Sequence, residues 1–464
     1  MGVHVADVIM GGGKTESSIS FILSAPHWKR FIYVTPFLDE CNRICTSCIE
    51  HGFCQPLGDD RIHKSKTAEL GELLRNRENI VISHALFILS IWKYEDLIRA
   101  VGYTLIQDET FPAVEEYDMS AAKASINDMM YLEKWGMVEQ KENGLICLKD
   151  TEYDGELLAP LLEMLERRDM YLHKSVYYRV FNMDIFLWFE DVYILTYLFK
   201  FSLQCCMMTA AGIPFDYIGV VRDEEGYHFT EDRIEMEYAR GLSDRIVVEH
   251  GVLNDIGNDQ SSLSVSWYER EIAVELKRLE QLKKKKNTRR GRKSKDSDEE
   301  RTKMMILGSH IESYFRKWGK TKETAPFCLW TVFKLGENVV DTHSFKKRFL
   351  VFNKKASNDY RHCRYLAYCV NVFMHPNIKH YLEDKGCPIN EDGYALSEMI
   401  QWVWRSAIRT PDGEIKVYIP SRRMRSLFKA WLEELHDGGH GDEDHIFVRA
   451  KEIYKAEEIK ESKT

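Results

Sequence analysis

The sequence has no uninterrupted apolar segment long enough to cross a bilayer. Its longest apolar candidates, such as residues 185–189, are interrupted by charged residues and are typical of a packed core. The first residues also lack the pattern of a signal peptide. We therefore expect a cytoplasmic protein without a membrane partner.

Neither the cysteines nor the net charge indicates a specialised class of protein. The 11 cysteines do not form the framework that stabilises small secreted domains, and a chain of 464 residues has no need of one. We expect reduced thiols. The net charge is -9, from 64 Lys+Arg against 73 Asp+Glu, which excludes a uniformly basic surface. A local groove that binds a nucleic-acid backbone is still compatible with this charge.

Length and composition predict a folded protein of two to three domains, because 44% of the residues are hydrophobic and 30% are charged. In the N-terminal part, short apolar runs alternate with helical patterns, which is typical of a parallel sheet with crossover helices. We find no internal repeat. The predicted elements are strands at residues 3–9, 31–34, 79–82, 103–106 and 192–196 and a helix over Lys14–Ser24.

The remainder of the chain predicts an insertion and a second domain. Between about residues 115 and 190 the pattern is mostly helical, so we predict a helical insertion late in a first domain of residues 1–225. A break at Trp135-Gly136 and a hairpin signal at Asn143-Gly144 leave a small winged-helix-like insertion as the alternative. A second domain is predicted over residues 226–464. Its strand-like runs lie at residues 245–248, 328–332, 348–353 and 415–419.

A dense basic run occupies residues 277–295 of the predicted second domain and is followed by acidic residues. Blocks of like charge are usually solvated loops or frayed helix ends. The alternative is a segment that contacts the phosphates of nucleic acid without sequence preference.

A glycine-rich loop follows the first predicted strand and consists of Gly11, Gly12, Gly13, Lys14 and Thr15. The three glycines allow a sharp turn that presents backbone N–H groups to phosphate oxygens. Lys14 can reach the β- and γ-phosphates, and the Thr15 hydroxyl can bind Mg²⁺. The helix that follows directs its positive end toward the same anion. The loop therefore predicts a bound nucleoside triphosphate.

An acidic pair, Asp108-Glu109, ends a later apolar strand. Asp108 would bind Mg²⁺, and Glu109 would orient or deprotonate the attacking water. Acidic residues are common at strand ends, so the pair indicates a catalytic site only in combination with the phosphate loop upstream. Together the two motifs predict a site that hydrolyses ATP with Mg²⁺.

Gln401, Arg405 and Arg409 follow one another at intervals of four residues near the other end of the chain. On a helix over residues 401–409 this spacing places them along one face. Arginines in a row suit the charge on the γ-phosphate during phosphoryl transfer. The alternative is a surface helix with two solvated arginines.

In this order, the motifs resemble those of a superfamily 2 (DEAD/DEAH-type) helicase, and the arrangement is most similar to divergent helicase-like proteins of bacteriophages. The resemblance rests on the phosphate loop, Thr35-Pro36, Asp108-Glu109 and the Gln401…Arg405…Arg409 series. It implies an α/β protein with two RecA-like P-loop domains, parallel sheets and ATP between the domains. The sequence departs from the family in its acidic box, which reads Asp108-Glu109-Thr110-Phe111, and in Val8, which replaces the first glycine of the longer phosphate loop.

Carried over position by position, the resemblance implies a role for each matching residue. Gly11 to Thr15 contact the nucleotide, Thr15 and Asp108 bind Mg²⁺, and Glu109 is the catalytic carboxylate. Arg405 and Arg409 match the arginine fingers, with Gln401 beside them. The positions expected to contact nucleic acid are Thr35, Pro36, Ser83 and Thr196, of which Thr196 is the nearest substitute for an absent Ser-Ala-Thr motif.

We therefore predict an ATP-dependent helicase or translocase with ATP and Mg²⁺ as cofactors. Its partner would be single-stranded or duplex nucleic acid, DNA favoured over RNA, in the replication or recombination of a phage and in the cytoplasm of its bacterial host. One alternative is another P-loop motor, such as a DNA-packaging ATPase. The other is a helicase-like protein whose bound nucleotide only switches a binding surface; the intact catalytic residues favour an enzyme over that reading.

Cys41, Cys45, Cys48 and Cys54 lie close together and raise the question of a metal site. The first three are spaced like the inward stripe of a helix, where buried free cysteine is common. They do not match the paired C-x₂-C spacing of zinc sites.

Overall fold

The computed structural model describes residues 2–58, 65–122, 125–149, 158–231, 237–288, 301–353, 358–387, 389–410, 413–437 and 443–461. The chain divides into two compact units. The first contains Met1–Ile234 and Met374–Asn390, and the second contains Glu235–Phe373 and Glu391–Thr464. The first boundary lies nine residues after the predicted one at 225/226, because one more strand joins the first sheet there. Met374–Asn390, inside the predicted second domain, belongs to the first unit.

Twelve strands belong to the described part of the first unit. In chain order they are β1 (Gly2–Asp7), β2 (Phe31–Thr35), β3 (Ile80–Ser83), β4 (Thr104–Asp108), β5 (Val114–Glu116), β6 (Val138–Gln140), β7 (Ile146–Leu148), β8 (Met170–His173), β9 (Val176–Val180), β10 (Asp191–Thr196), β11 (Asp216–Asp223) and β12 (Gly226–Thr230). Seven of them form one sheet in the order β12-β11-β1-β10-β4-β2-β3. All pairs in this sheet are parallel except β11–β12. The five strands predicted from the N-terminal pattern all lie in it.

The helices of the first unit are α1 (Lys14–Ser24), α2 (Leu38–Ser47), α3 (Lys66–Arg75), α4 (His84–Ser90), α5 (Glu95–Val101), α6 (Ile126–Lys134), α7 (Ala159–Glu166), α8 (Leu203–Ala210) and, much later in the chain, α13 (Pro376–Asp384). Helix α1 has the predicted bounds. The sheet buries continuous apolar strands, as parallel sheets covered on both faces do. Phe31 and Tyr33 of β2 pack with Ile22 of α1 and with Cys41 and Ile44 of α2.

The insertion after β4 is mixed rather than helical, so the prediction of a helical insertion is wrong. It contains an antiparallel sheet of order β5-β9-β8 and a β6–β7 hairpin, besides α6 and α7. Strands of three to five residues are too short for their alternating pattern to be distinguished from helical periodicity in the sequence. The Asn143-Gly144 turn was the correct signal: Gly144 has a φ of 93°. Helix α6 followed by this hairpin is the element order of the winged-helix-like alternative.

Helix α13 returns from the second half of the chain and packs on this insertion. Tyr178 Oη donates to the Asn377 carbonyl at 3.1 Å, and His173 Nε2 lies 2.7 Å from Asp384 Oδ2. Sequence pattern did not predict this return.

The second unit contains a parallel sheet of β13 (Ile246–Glu249), β14 (Cys328–Thr331), β15 (Tyr365–Tyr368) and β16 (Ile415–Tyr418), in the order β13-β16-β15-β14. Its helices are α9 (Glu237–Ser243), α10 (Val265–Thr288), α11 (Lys303–Arg316), α12 (Thr321–Thr324), α14 (Glu391–Val403), α15 (Arg422–Asp437) and α16 (Glu443–Glu461). A predominantly parallel sheet and a parallel sheet, both with helices, confirm the predicted α/β fold class.

Two sequence predictions in the second unit need correction. Residues 348–353 do not form a strand; Phe349 makes only an isolated bridge to Trp330, and the two rings pack at 5.0 Å. The apolar pattern there reflects packing on the sheet and not membership of it. Strand β15, which lies inside the sheet, was not predicted.

The predicted basic excursion begins within α10, which continues to Thr288. Arg278 Nη2 lies 2.7 Å from Glu275 Oε1, so the start of the run is partly neutralised by its own helix. Residues 289–295 lie outside the described residues. No helix in the described part of the chain has the length and apolar character that a membrane crossing requires.

Candidate phosphate site

The phosphate loop joins β1 to α1 by a turn that only glycine adopts readily. Gly11 and Gly13 have φ angles of 83° and 90°, in the left-handed region. The Gly12 N–H donates to the Ile9 carbonyl at 3.0 Å and closes the turn. Helix α1 begins immediately afterwards, at Lys14. The predicted strand–loop–helix arrangement is therefore present.

Lys14 is buried, with 7% of its surface exposed, and its side chain folds back over the loop. The Nζ atom donates to the Val8 carbonyl at 2.5 Å. The ammonium group is therefore held at the mouth of the loop, and the free end of α1 adds the positive end of its helix dipole. This geometry suits a phosphate.

The acidic pair lies at the same edge of the sheet, because the carboxyl ends of parallel strands meet there. Strand β10 separates β1 from β4. The Thr35 hydroxyl donates to Asp108 Oδ2 at 3.4 Å, and the Thr196 hydroxyl donates to Glu109 Oε2 at 3.4 Å. Three strand ends thus converge on two carboxylates.

The environment of Asp108 disfavours its ionised form when no cation is bound. Burial raises the pKa of Asp108 to about 7, with further contributions from the Glu109 and Glu40 carboxylates. The Lys14 ammonium and the Thr35 hydroxyl act in the opposite direction. A divalent cation would relieve the repulsion between the carboxylates. One carboxylate, a hydroxyl such as that of Thr15, water and phosphate oxygens are a donor set that Mg²⁺ accepts.

Glu109 has a φ of 63°, which is rare for a residue with a side chain. A buried pair of amides holds the backbone there. Gln107 Nε2 donates to the Glu109 carbonyl at 3.0 Å and to Gln204 Oε1 at 2.7 Å, and Gln204 Nε2 donates to Gln107 Oε1 at 3.1 Å. Neither glutamine is exposed. Backbone strain of this kind persists where surrounding contacts enforce it, often at functional sites.

Two of the four residues expected to contact nucleic acid are not placed to do so. Thr35 is fully buried and Thr196 is 1% exposed, and both hydroxyls contact the acidic pair instead. Their expected role therefore changes from binding a strand to positioning Asp108 and Glu109. The Ser83 hydroxyl accepts a hydrogen bond from the Leu86 N–H at the start of α4, and Pro36 is half-buried directly after β2.

The predicted arginine-finger helix over residues 401–409 is not one helix. Helix α14 ends at Val403, so Gln401 lies on it while Arg405 follows in a turn and Arg409 ends a short 3-10 turn. The i, i+4, i+8 stripe is therefore wrong as a helix face. These three residues belong to the second unit, whereas the phosphate loop belongs to the first.

Arg405 is buried, with 5% of its surface exposed, and donates from Nη1 to the Phe352 carbonyl at 3.4 Å. Burial lowers the pKa of Arg405 to about 10, so the side chain is still cationic at neutral pH. This excludes the alternative of a solvated surface arginine at this position. A catalytic role for Arg405 and Arg409 stays a prediction.

Comparison with known proteins shows which family the chain belongs to. Residues 240–432 match the YonV C-terminal Rossmann-like domain. Over 447 residues the chain is 35% identical to the SPbeta prophage-derived uncharacterized protein YonV of Bacillus subtilis (strain 168). The match covers 93% of this chain and 98% of that relative. The chain belongs to the YonV family. The Rossmann-like match contains the β13-β16-β15-β14 sheet, and the prophage-derived relative supports the phage part of the sequence-based resemblance.

In this YonV-family chain the first three cysteines of the group lie in or against the hydrophobic core. Cys41 and Cys48 are fully buried beside Ile44. Burial raises the pKa of Cys41 to about 12 and that of Cys48 to about 11, so both thiols are protonated at neutral pH. Among the described residues, no set of three His, Cys, Asp or Glu side chains is arranged to hold a metal ion.

Three residues that shape the site of this YonV-family chain were not predicted from the sequence: Gln107, Gln204 and His84. A glutamine at position 107, inside an otherwise apolar strand and next to the acidic pair, was a visible signal. Its partner Gln204, far along the chain, had no such signal. His84, whose Nε2 lies 2.8 Å from the Asp108 carbonyl, also gave no signal of this contact in the sequence.

Proposed function

We propose that this YonV-family protein is a helicase-type ATPase, which hydrolyses ATP with Mg²⁺ and uses the energy to move on or unwind nucleic acid, DNA favoured over RNA. The observation that supports it best is the meeting of Lys14 with Asp108 and Glu109 at one edge of the first sheet. A phosphate-binding lysine and two carboxylates are the minimum that Mg²⁺-dependent phosphoryl transfer to water requires.

The roles of the side chains follow from their positions. Lys14 would neutralise phosphate charge at the mouth of the loop, and Thr15 with Asp108 would hold the cation. Glu109 would orient the attacking water and accept its proton. Bound Mg²⁺–ATP supplies the γ-phosphoryl group and the cation that shields its charge.

Three contacts would keep these groups in place between turnovers. The Thr35 hydroxyl fixes one oxygen of Asp108, and the Thr196 hydroxyl fixes one oxygen of Glu109. The Gln107–Gln204 pair holds the backbone at Glu109. Preorganisation of this kind lowers the reorganisation that the reaction would otherwise need.

The resemblance assigns Arg405 and Arg409 the role of arginine fingers, which would stabilise the charge that develops on the transferred phosphoryl group. Support for this comes from the resemblance and from the retained positive charge of Arg405 despite its burial. Cationic side chains in this role raise turnover by orders of magnitude in phosphoryl-transfer enzymes. The proposal of a motor, as opposed to a simple ATPase, depends on this coupling.

The test is ATP turnover by the full chain without polynucleotide and with single-stranded DNA, duplex DNA or RNA. We expect stimulation by DNA. Lys14→Ala should lower turnover at least about 100-fold, because it removes the cation that would neutralise the phosphates. Lys93→Ala, at an exposed lysine of the same unit, is the control and should leave turnover unchanged.

The outcomes separate the candidate functions. Turnover that survives Lys14→Ala would contradict the ATPase. Turnover that no polynucleotide changes would contradict the motor. ATP binding without turnover, combined with polynucleotide affinity that depends on ATP, would favour the nucleotide-switched binding protein.

A further inference from the structure

The β11–β12 hairpin packs on α1 beside the phosphate loop. Phe229 of β12 stacks on Tyr193 with ring centroids 5.4 Å apart, and lies 6.0 Å from Phe21 of α1. Side chains two residues apart on a strand share a face, so Tyr227 lies on the same face of β12 as Phe229. The hairpin is therefore fixed by the apolar contacts of Phe229, and Tyr227 lies nearer to the phosphate loop.

Tyr227 contacts the loop itself. A Cβ added to Gly13 would overlap the Tyr227 ring, at a position where the φ of 90° already favours glycine. The ring therefore occupies the space directly beside the last glycine of the loop.

Arg222 completes the pair. It lies opposite Tyr227 in the β11–β12 register, and its guanidinium carbon is 5.3 Å from the Tyr227 ring centroid. This distance is within the range of a cation–π contact. A cation and an aromatic ring are thus held together at the edge of a predicted anion site.

The order of the strands indicates which part of a nucleotide would reach this pair. Asp108 and Glu109 lie on one side of β1, across β10, and the hairpin lies on the other side. The γ-phosphate and Mg²⁺ must be near the two carboxylates. With the phosphates in the loop, as proposed, the nucleoside end would extend away from β4 and toward β11 and β12.

We propose that Tyr227 and Arg222 form the subsite for the base of the nucleotide. The Tyr227 ring would stack on the base, and Arg222 would hold the ring in place and add a cation beside the nucleotide. This inference rests on the proposed function, because it requires a nucleoside triphosphate in the phosphate loop. It adds specificity: the site takes a phosphate chain that carries an aromatic base, in preference to a bare polyphosphate.

The test compares two ligands in the presence of Mg²⁺, ATP and inorganic tripolyphosphate, by calorimetric titration of the full chain. Tyr227→Leu should weaken ATP binding about 10-fold, the loss of one stacked base. Its affinity for tripolyphosphate should change less than about 2-fold, since that ligand has no base. Tyr227→Phe should retain ATP affinity because it retains the ring. Tyr131→Leu, at a tyrosine that is 52% exposed in the insertion, is the control for the substitution itself.

Each outcome has one interpretation. Unchanged ATP affinity in Tyr227→Leu, or an equal loss of ATP and tripolyphosphate affinity, would overturn the base subsite while leaving the phosphate site intact. Lys14→Ala should weaken both ligands together. A wild-type protein that binds neither ligand would contradict the proposed function, and the base subsite with it.

Discussion

Each unit has a strand–loop–helix segment at the carboxyl edge of its parallel sheet, but the two loops are built in opposite ways. In the first unit, β1 leads to α1 through a loop with two left-handed glycines. In the second, β16 leads to α15 through residues 419–421, which contain no glycine. Arg425 of α15 donates from Nη1 to the carbonyls of Ile419 and Pro420, both at 2.8 Å.

The second loop is also closed from the other side. Asn254 Nδ2 donates to the Ile419 carbonyl at 3.0 Å, and a Cβ added to Gly257 would overlap Pro420. Its carbonyls face a guanidinium, whereas a phosphate loop must offer N–H groups to an anion. A shared strand–loop–helix plan therefore does not imply a shared phosphate site. Glycine content and the direction of the backbone dipoles decide it.

The largest expected difference between the two loops concerns their cations. Arg425 is fully buried and bonds to Glu457 as well as to the loop. Arg425→Met should destabilise the second unit by about 3–5 kcal/mol, because Glu457 becomes a buried charge that has lost its main partner. Lys14→Met should change the stability of the first unit by less than about 1 kcal/mol, because the partner proposed for its ammonium group is a bound phosphate.

Hydrogen exchange resolved by peptide, on the full chain, measures the two units separately. Exchange in α15 should rise in Arg425→Met, and exchange in α1 should change little in Lys14→Met. Equal destabilisation by both substitutions would contradict the distinction between a structural cation at Arg425 and a cation at Lys14 that is proposed to bind a ligand.

The next largest effect on stability is expected at Gly257, which packs against the second loop. Gly257→Ala should cost about 2 kcal/mol, because the new methyl group meets the backbone of Pro420, which cannot move aside as a side chain would. Gly241→Ala, at a helical glycine of α9 with open space around it, is the matched control and should be neutral or slightly stabilising. Urea unfolding measures both; a similar midpoint for the two variants would contradict close packing at Gly257.

The first unit has a buried contact between two neutral side chains, the amides of Gln107 and Gln204, where the second unit has the Arg425–Glu457 ion pair. Gln204→Leu should cost about 1.5 kcal/mol, because it leaves part of the Gln107 amide without a partner. It should also lower ATP turnover about 10-fold, since the backbone at Glu109 is less firmly held. Gln140→Leu, at an exposed glutamine, is the control. Stability that falls while turnover stays at the wild-type value would show that the pair has no positioning role.

The smallest expected effect is a pH dependence of the second unit. Burial alone would raise the pKa of Glu457, but hydrogen bonds and charges from Arg425 and Lys429 outweigh it and lower the pKa below 4.5. A lowered carboxylate pKa contributes stability that is present above pH 4.5 and is lost as the pH falls through the folded-state value. We therefore expect the second unit to lose stability on acidification, by less than the substitutions above. Urea unfolding of Glu457→Gln between pH 7 and pH 3 should show a flatter profile than the wild type; parallel profiles would exclude Glu457 as the source.

Sequence patterns predicted the parts of the first unit whose signals are local. Apolar strands, the glycine loop and the acidic pair each lie within a few residues of the chain, and each is governed by short-range rules of burial or backbone geometry. The insertion and the arginine series show the limit of such rules. Short strands gave too few residues to show a period, and a spacing of four residues suggested a helix face although α14 ends at Val403.

By itself, the sequence determined the α/β class, the strand–loop–helix at Gly11 to Thr15 and the acidic end of β4, because glycine torsions and apolar runs act locally. Only the tertiary structure decided what surrounds them. It turned Thr35 and Thr196 inward onto the carboxylates, paired Gln107 with Gln204 and set Tyr227 against Gly13. Those contacts join residues far apart in the chain, and their energies come from burial and pairing that exist only once the sheet has assembled.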